Sequence, residues 1–173
     1  MKYFTILFLL PTLLFSQTKM DKISFLNNRI EILVPSELGK MSDEIWKKKN
    51  PAIPKPLLVL VDAKGDVNLT ASIVPRIVKE TQVMDFKQFQ LKNFKENRPD
   101  VTVLSEGFKI AEDRKVGYIK FRSKAVDQNR FNYYFFVLDT DKMIFFSFDC
   151  VEKLQSTWED TADKIVNSIK INK

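Results

Sequence analysis

The chain has no histidine and one cysteine among its 173 residues. Without histidine there is no imidazole to ligate a metal or to act as a general base near neutral pH. A lone thiol, Cys150, cannot close an internal disulfide, so the fold must be held by packing. Cys150 follows Asp149 at the end of an apolar run. An acidic neighbour raises a thiol pKa and argues against a thiolate nucleophile, which leaves a small buried filler. Nucleophilic catalysis needs an activated Ser, Cys or Lys with a base beside it, and no such grouping stands out. Glu106 and Asp113 are an acid–base pair in principle only, since nothing local separates them from other surface acids. No internal repeat or low-complexity tract is present. No cofactor is expected, and the chain reads as a binding protein rather than an enzyme.

What is present begins with an export signal. Met1 and Lys2 give a positive start, residues 3–15 (YFTILFLLPTLLF) are apolar, and Ser16 places a small residue before Gln17. That order is a secretory signal peptide over residues 1–16, cleaved after Ser16. The competing reading, a membrane anchor, needs about 20 apolar residues; this run is shorter and contains Pro11. Residues 17–173 then make one domain, long enough to sustain a core. The formal charge is +6, and removing Lys2 leaves it positive. The only cysteine is far from the cleavage point, so no lipid attachment is expected there. The expectation is a soluble periplasmic or secreted protein with no stable membrane anchor.

The organising stretch is residues 130–150: RFNYYFFVLD, TDKM, IFFSFDC. Two aromatic and β-branched runs around a polar turn predict a β-hairpin. Phe131, Tyr133, Phe135 and Val137 point one way, and Asn132, Tyr134, Phe136 and Leu138 the other. Ile144, Phe146 and Phe148 alternate with Met143, Phe145 and Ser147. Both faces are apolar, which marks central strands covered on each side.

Around this hairpin, residues 23–25 and 29–34 predict strands joined at Asn27-Asn28 and stopped by Pro35. Ser42 predicts the cap of a brief helix, with Asp43 and Glu44 at its start, Lys47, Lys48 and Lys49 at its end, and Ile45 and Trp46 pinning it to the core. Three prolines across residues 50–56 predict a stiff surface loop. Residues 57–61 (LLVLV) read as a further central strand. Residues 67–74 read as a strand with Leu69, Ala71 and Ile73 inward, and with a wetter face or a place toward the sheet edge. Asp85 with Gln88 resembles a capping box opening a helix to about Asn97, with Met84, Phe86, Phe89, Leu91 and Phe94 as its apolar face. Strands follow at 101–110 and 116–123. Ser156 with Glu159 predicts a second capping box, and Trp158, Ala162, Ile165, Val166 and Ile169 share one helical face. This order predicts an α+β fold, a mainly antiparallel β-sheet with helices on both faces.

The segments RIEILVPSEL, DVNLTASIVP, the helix after Asp85, the strands through Cys150 and the ending Ile165-Val166-Asn167-Ser168-Ile169 together resemble the PsbP-like and Mog-like family, including DcrB-like periplasmic proteins. The resemblance implies an α-β-α sandwich. It also implies a non-enzymatic accessory or binding role, since relatives assist a photosystem II extrinsic complex or bind the GTPase Ran. The shared pattern is one of core residues, so no family binding residue transfers to this chain, and fold alone does not choose a task.

The candidate surface is a basic ladder. Lys120, Arg122 and Lys124 alternate with Ile119, Phe121 and Ser123, and Arg130 opens the next strand nearby. These four cations are the predicted partner-binding site, for an acidic protein, an anionic headgroup or a polyanion. The plainer reading is a solvated strand end whose lysines discourage edge pairing. Nucleic acid is not expected, because no recognition motif is present. Asp62 with Asp66, and Asp139 with Asp141, offer oxygen ligands for Ca²⁺ or Mn²⁺, but Asp is also simply a good turn residue, and no metal is expected. Fifteen phenylalanines fill a core or line an apolar cavity. The leading expectation is an exported adaptor that docks a protein partner. The alternative is a carrier of an apolar or anionic small molecule, held in a pocket between the sheet and the closing helix.

Overall fold

The computed structural model describes residues 18–77, 79, 81–126 and 128–172, without the side chains of 75–77. The signal peptide expected over residues 1–16 lies outside the described residues. The chain begins with β1 (Met20–Phe25), β2 (Ile30–Pro35), β3 (Gly39–Lys40), α1 (Asp43–Lys49), β4 (Leu58–Val61) and β5 (Val67–Ile77). It continues with α2 (Thr81–Asn97), β6 (Thr102–Ala111), β7 (Arg114–Lys124), β8 (Asn129–Asp139) and β9 (Lys142–Val151). A 3₁₀ turn (Glu152–Leu154), α3 (Gln155–Asn167) and β10 (Lys170–Ile171) close it.

Seven strands form an antiparallel sheet in the order β3-β4-β5-β9-β8-β7-β6, and a smaller sheet has the order β1-β2-β10. The β8–β9 hairpin lies at the middle of the large sheet. Alternation settles its two faces. Phe131, Tyr133, Phe135, Phe146 and Phe148 are fully buried toward α3 and the small sheet. Phe136 and Met143 are buried toward α2 with Val83, and Phe121 and Ile119 with Phe94. The fold is therefore α+β with helices on both faces, as expected. The small sheet was not foreseen; it shares one face with α3, where Ile30, Ile32 and Val34 of β2 join the main core.

Several local expectations differ from the structure. Ser42 does cap α1, accepting from the Ile45 amide, but α1 buries no residue and Ile45 is 50% exposed. A two-turn helix with three lysines at its end has too little apolar surface to dock. β5 is flanked by β4 and β9, so its wetter face does not mean a sheet edge. α2 begins at Thr81, a full turn before Asp85, so Asp85 and Gln88 lie within a helix already running. Its buried positions are Val83, Lys87 and Phe94, while Phe89 is 63% exposed. In α3 the N-cap is Leu154, with no side-chain cap. Glu159 instead reaches toward the sheet. The apolar face of α3 is as expected, with Ala162, Ile165 and Val166 fully buried, and Ile169 is buried just past the helix end.

One glycine is demanded by a close approach. Gly117 on β7 sits opposite Phe136 on β8, and a Cβ there would lie 2.3 Å from the Phe136 ring. That ring is fully buried and has no room to swing away. Gly117→Ala is expected to cost about 1–3 kcal/mol of stability, read as a lower denaturation midpoint. Gly107→Ala, whose Cβ would meet the Tyr118 ring at 3.2 Å, should cost less.

Candidate functional site

The basic ladder is built by strand alternation, and an acidic stripe on α3 answers it. Lys120 Nζ donates to Glu159 Oε1 at 2.9 Å and to Asp163 Oδ2 at 3.0 Å. Arg122 donates to Gln155 Oε1 through Nε and Nη2 at 3.0 and 2.8 Å, and its Nε lies 3.1 Å from Glu152. Lys109 on β6 also pairs with Asp163, and the Tyr133 hydroxyl donates to that carboxylate at 3.0 Å. Glu152, Gln155, Glu159 and Asp163 follow one another at spacings of three and four along the chain, one stripe of a helix. That spacing was the sequence signal for a partner to the ladder.

Electrostatics follow from this arrangement. Burial works to lower the Lys120 pKa, but the hydrogen bonds to Glu159 and Asp163 outweigh it, and the pKa lies above its ordinary value. Burial likewise works to raise Asp163, and the Lys109 and Lys120 bonds hold it below the usual carboxylate range. Glu159 is lowered in the same way, by bonds from Gln155 and Lys120 against burial. Tyr133 is driven well upward by burial and by Asp163. The cluster holds charged, mutually neutralising groups and a phenol that stays protonated, which clamps α3 to the sheet.

The four predicted residues are thus not one patch. Lys120 is 8% exposed and internally engaged. Arg122 is half-exposed and bonded to the start of α3. Lys124 is exposed at the strand end and makes no ion pair among the described residues. Arg130 pairs across from Ser123, so alternation places it on the opposite face of the sheet. There it pairs with Asp149 and donates to the Asp66 carbonyl at 3.1 Å, and Asn68 donates to the same carboxylate at 3.3 Å. Burial holds Asp149 above its ordinary pKa even so.

The other candidates are also placed. Asp62 accepts from the Val67 and Lys64 amides and so shapes the β4–β5 turn. Asp139 takes two bonds of 2.8 Å from Arg29 Nε, and Arg29 Nη2 donates to Thr140 at 2.7 Å. No group of three or more acids or cysteines placed to hold a metal occurs among the described residues. Glu106 pairs with Lys87 in mid-strand, and Asp113 lies in the β6–β7 turn, so the two are not brought together. Burial raises the Cys150 thiol to about 12, with Asp149 adding to it.

Two clefts open at the surface. One, of about 660 Å³, lies between the β1–β2 turn and the β8–β9 turn around Arg29, Asp139 and Asn172. Another, of about 440 Å³, lies between β3, α1 and the β4–β5 turn. Neither is under α3. A further surface feature is β6, an edge strand of the large sheet. Residues 102–106 are exposed, with Val103 at 41% and Leu104 at 40%, and Leu104 is the extra residue of a bulge against β7.

No family model matches the chain, and no curated protein matches its sequence. Its fold is shared with solved structures. Cyanobacterial PsbP (CyanoP) from Synechocystis aligns with a TM-score of 0.65 at 16% identity, covering 91% of this chain and 95% of that one. LpqN, involved in cell envelope biogenesis of Mycobacterium tuberculosis, aligns with a TM-score of 0.63 at 13% identity, over 90% and 91%. A Bacteroides thetaiotaomicron structure gives 0.55 at 10% identity, over 88% of this chain and 48% of its own. The fold is PsbP-like.

Proposed function

We propose that this chain is an exported accessory protein that docks another protein or complex and carries out no reaction itself. The observation that carries the reading is the contrast between its two kinds of polar surface. Groups that converge are engaged with one another, as Lys120 is with Glu159 and Asp163. The outer strand β6 is left open, with Thr102 directly opposite Arg122 and Lys124 just beyond. A free sheet edge with exposed apolar side chains is a template for an added strand, and Lys124, which makes no ion pair among the described residues, favours a partner segment carrying acidic residues there, with the half-exposed Arg122 shared with Glu152 beside it. The PsbP-like and Mog-like resemblance supports a protein partner. Export rests on the leader pattern of residues 1–16; no helix among the described residues is long and apolar enough to cross a membrane.

The carrier alternative finds little support in the packing, since Ala162, Ile165 and Val166 of α3 meet the sheet fully buried. The docking reading is tested with a photo-crosslinking residue at Leu104 in the native host. A discrete adduct is expected, reduced at least fivefold by Arg122→Glu with Lys124→Glu. Adducts that ignore the charge reversal, or no adduct at all, would remove this edge from the account.

A further inference from the structure

We propose that the cleft between β3, α1 and the β4–β5 turn docks the protein onto an anionic lipid surface. Three elements bring Lys40, Lys49 and Lys64 to its lining, beside Ile45 and Met41. All three lysines are exposed, and none makes an ion pair among the described residues. Lys48 shares the Ile45 side of α1 by helical spacing, and Lys47 is exposed next to it. The lining also holds Glu37 and Asp62, with the Asp62 carboxylate turned to the Val67 and Lys64 amides. Asp43 is matched by Lys55, and Glu44 is the one other acid of α1. Exposed lysines thus outnumber the acids on this surface.

The apolar side chains favour lipid over a soluble anion. Ile45 is 50% exposed and Ile53 58%. Ile53 is held against α1 because Trp46 Nε1 donates to its carbonyl at 3.1 Å, and Lys55 Nζ ties the same loop to the Met41 carbonyl at 2.7 Å. Bulky apolar residues ringed by lysines match a headgroup boundary, where the side chains enter the acyl edge and the ammonium groups meet phosphates. Lysine has a flexible apolar stem and a point charge that suit such a boundary. The surface carries no arginine fork of the kind that reads a carboxylate bidentately. It also lies at the β3 side of the sheet, away from β6, so it is independent of the protein-docking edge.

The test is co-sedimentation with vesicles of phosphatidylcholine containing about one third phosphatidylglycerol, a strongly anionic surface, at low and at high salt. Binding is expected at low salt and is expected to weaken as the Debye length shortens. The triple change Lys40→Gln, Lys49→Gln and Lys64→Gln is expected to lower the partition coefficient by about a hundredfold, from roughly one lysine's attraction at each site. Ile45→Ser should weaken binding at both salt levels. Unfolding curves of these variants should match the parent, since the changed groups are exposed. Equal binding by the triple variant, or equal binding to pure phosphatidylcholine, overturns the proposal. So does full competition by inorganic phosphate, which would mark a soluble-anion site, or by polyglutamate, which would mark an acidic protein.

Discussion

Phe135→Ala is expected to lower the unfolding free energy by about 3–5 kcal/mol. Phe135 is fully buried on β8, an interior strand between β9 and β7. Its ring stacks on Phe146 at 4.8 Å and an 11° interplanar angle, and meets Tyr133 edge-on at 5.5 Å. Truncation removes both aromatic contacts and leaves a void that neighbours on regular strands cannot close. A domain of this size is stable by about 5–15 kcal/mol, so the variant should lose on the order of 10 °C in Tm. Phe89→Ala is the control. That ring is 63% exposed on α2, and its loss should stay within about 0.5 kcal/mol. Equal costs at the two positions would contradict the packing described.

Lys120→Met should cost about 2 kcal/mol near neutral pH. Breaking a fully buried pair costs about 3–5 kcal/mol, but Glu159 and Asp163 keep 33% and 29% of their side-chain surface, so water screens the carboxylates left behind. The pH dependence separates this from a packing effect. Glu159 and Asp163 are held below their ordinary pKa values. Their contribution is complete above the unfolded carboxylate range and is lost as pH falls through the folded values. Lys120 is held above its ordinary value, so its contribution is complete below the unfolded lysine pKa and is lost as pH rises through the folded one. The difference between parent and variant should be greatest between about pH 5 and pH 10 and shrink on either side. A pH-independent difference would show that Lys120 acts only through its alkyl stem.

The parts of the fold legible in the sequence were those fixed by short-range periodicity. The β8–β9 hairpin shows apolar residues on both of its faces, and α3 repeats one face from Trp158 to Val166. Capping boxes misled because they are local patterns that tertiary partners can claim. Glu159 bonds to Lys120 and not to the Ser156 amide, and Gln82, ahead of Gln88, accepts the Lys79 amide. The basic ladder was legible as alternation, yet its partner stripe lies beyond the whole β8–β9 hairpin in sequence. The face taken by Arg130 depends on the register of β8 against β7, which alternation within either strand does not reveal. The small sheet was hidden for a related reason, since β10 contributes only two residues and meets β2 across most of the chain.

That last pairing bears on when the molecule can finish folding. Lys170 and Ile171 lie opposite Glu31 and Ile30, the Asn172 amide donates to the Arg29 carbonyl at 2.8 Å, and its side chain donates to the Asn28 carbonyl at 2.7 Å. A growing polypeptide cannot close this seam until residues 170–172 have been made. Contacts between distant parts of a chain also form slowly. The β2–β10 seam is therefore among the last parts of this domain that a nascent chain can close, while the seven-stranded sheet needs none of residues 170–172 for its pairing.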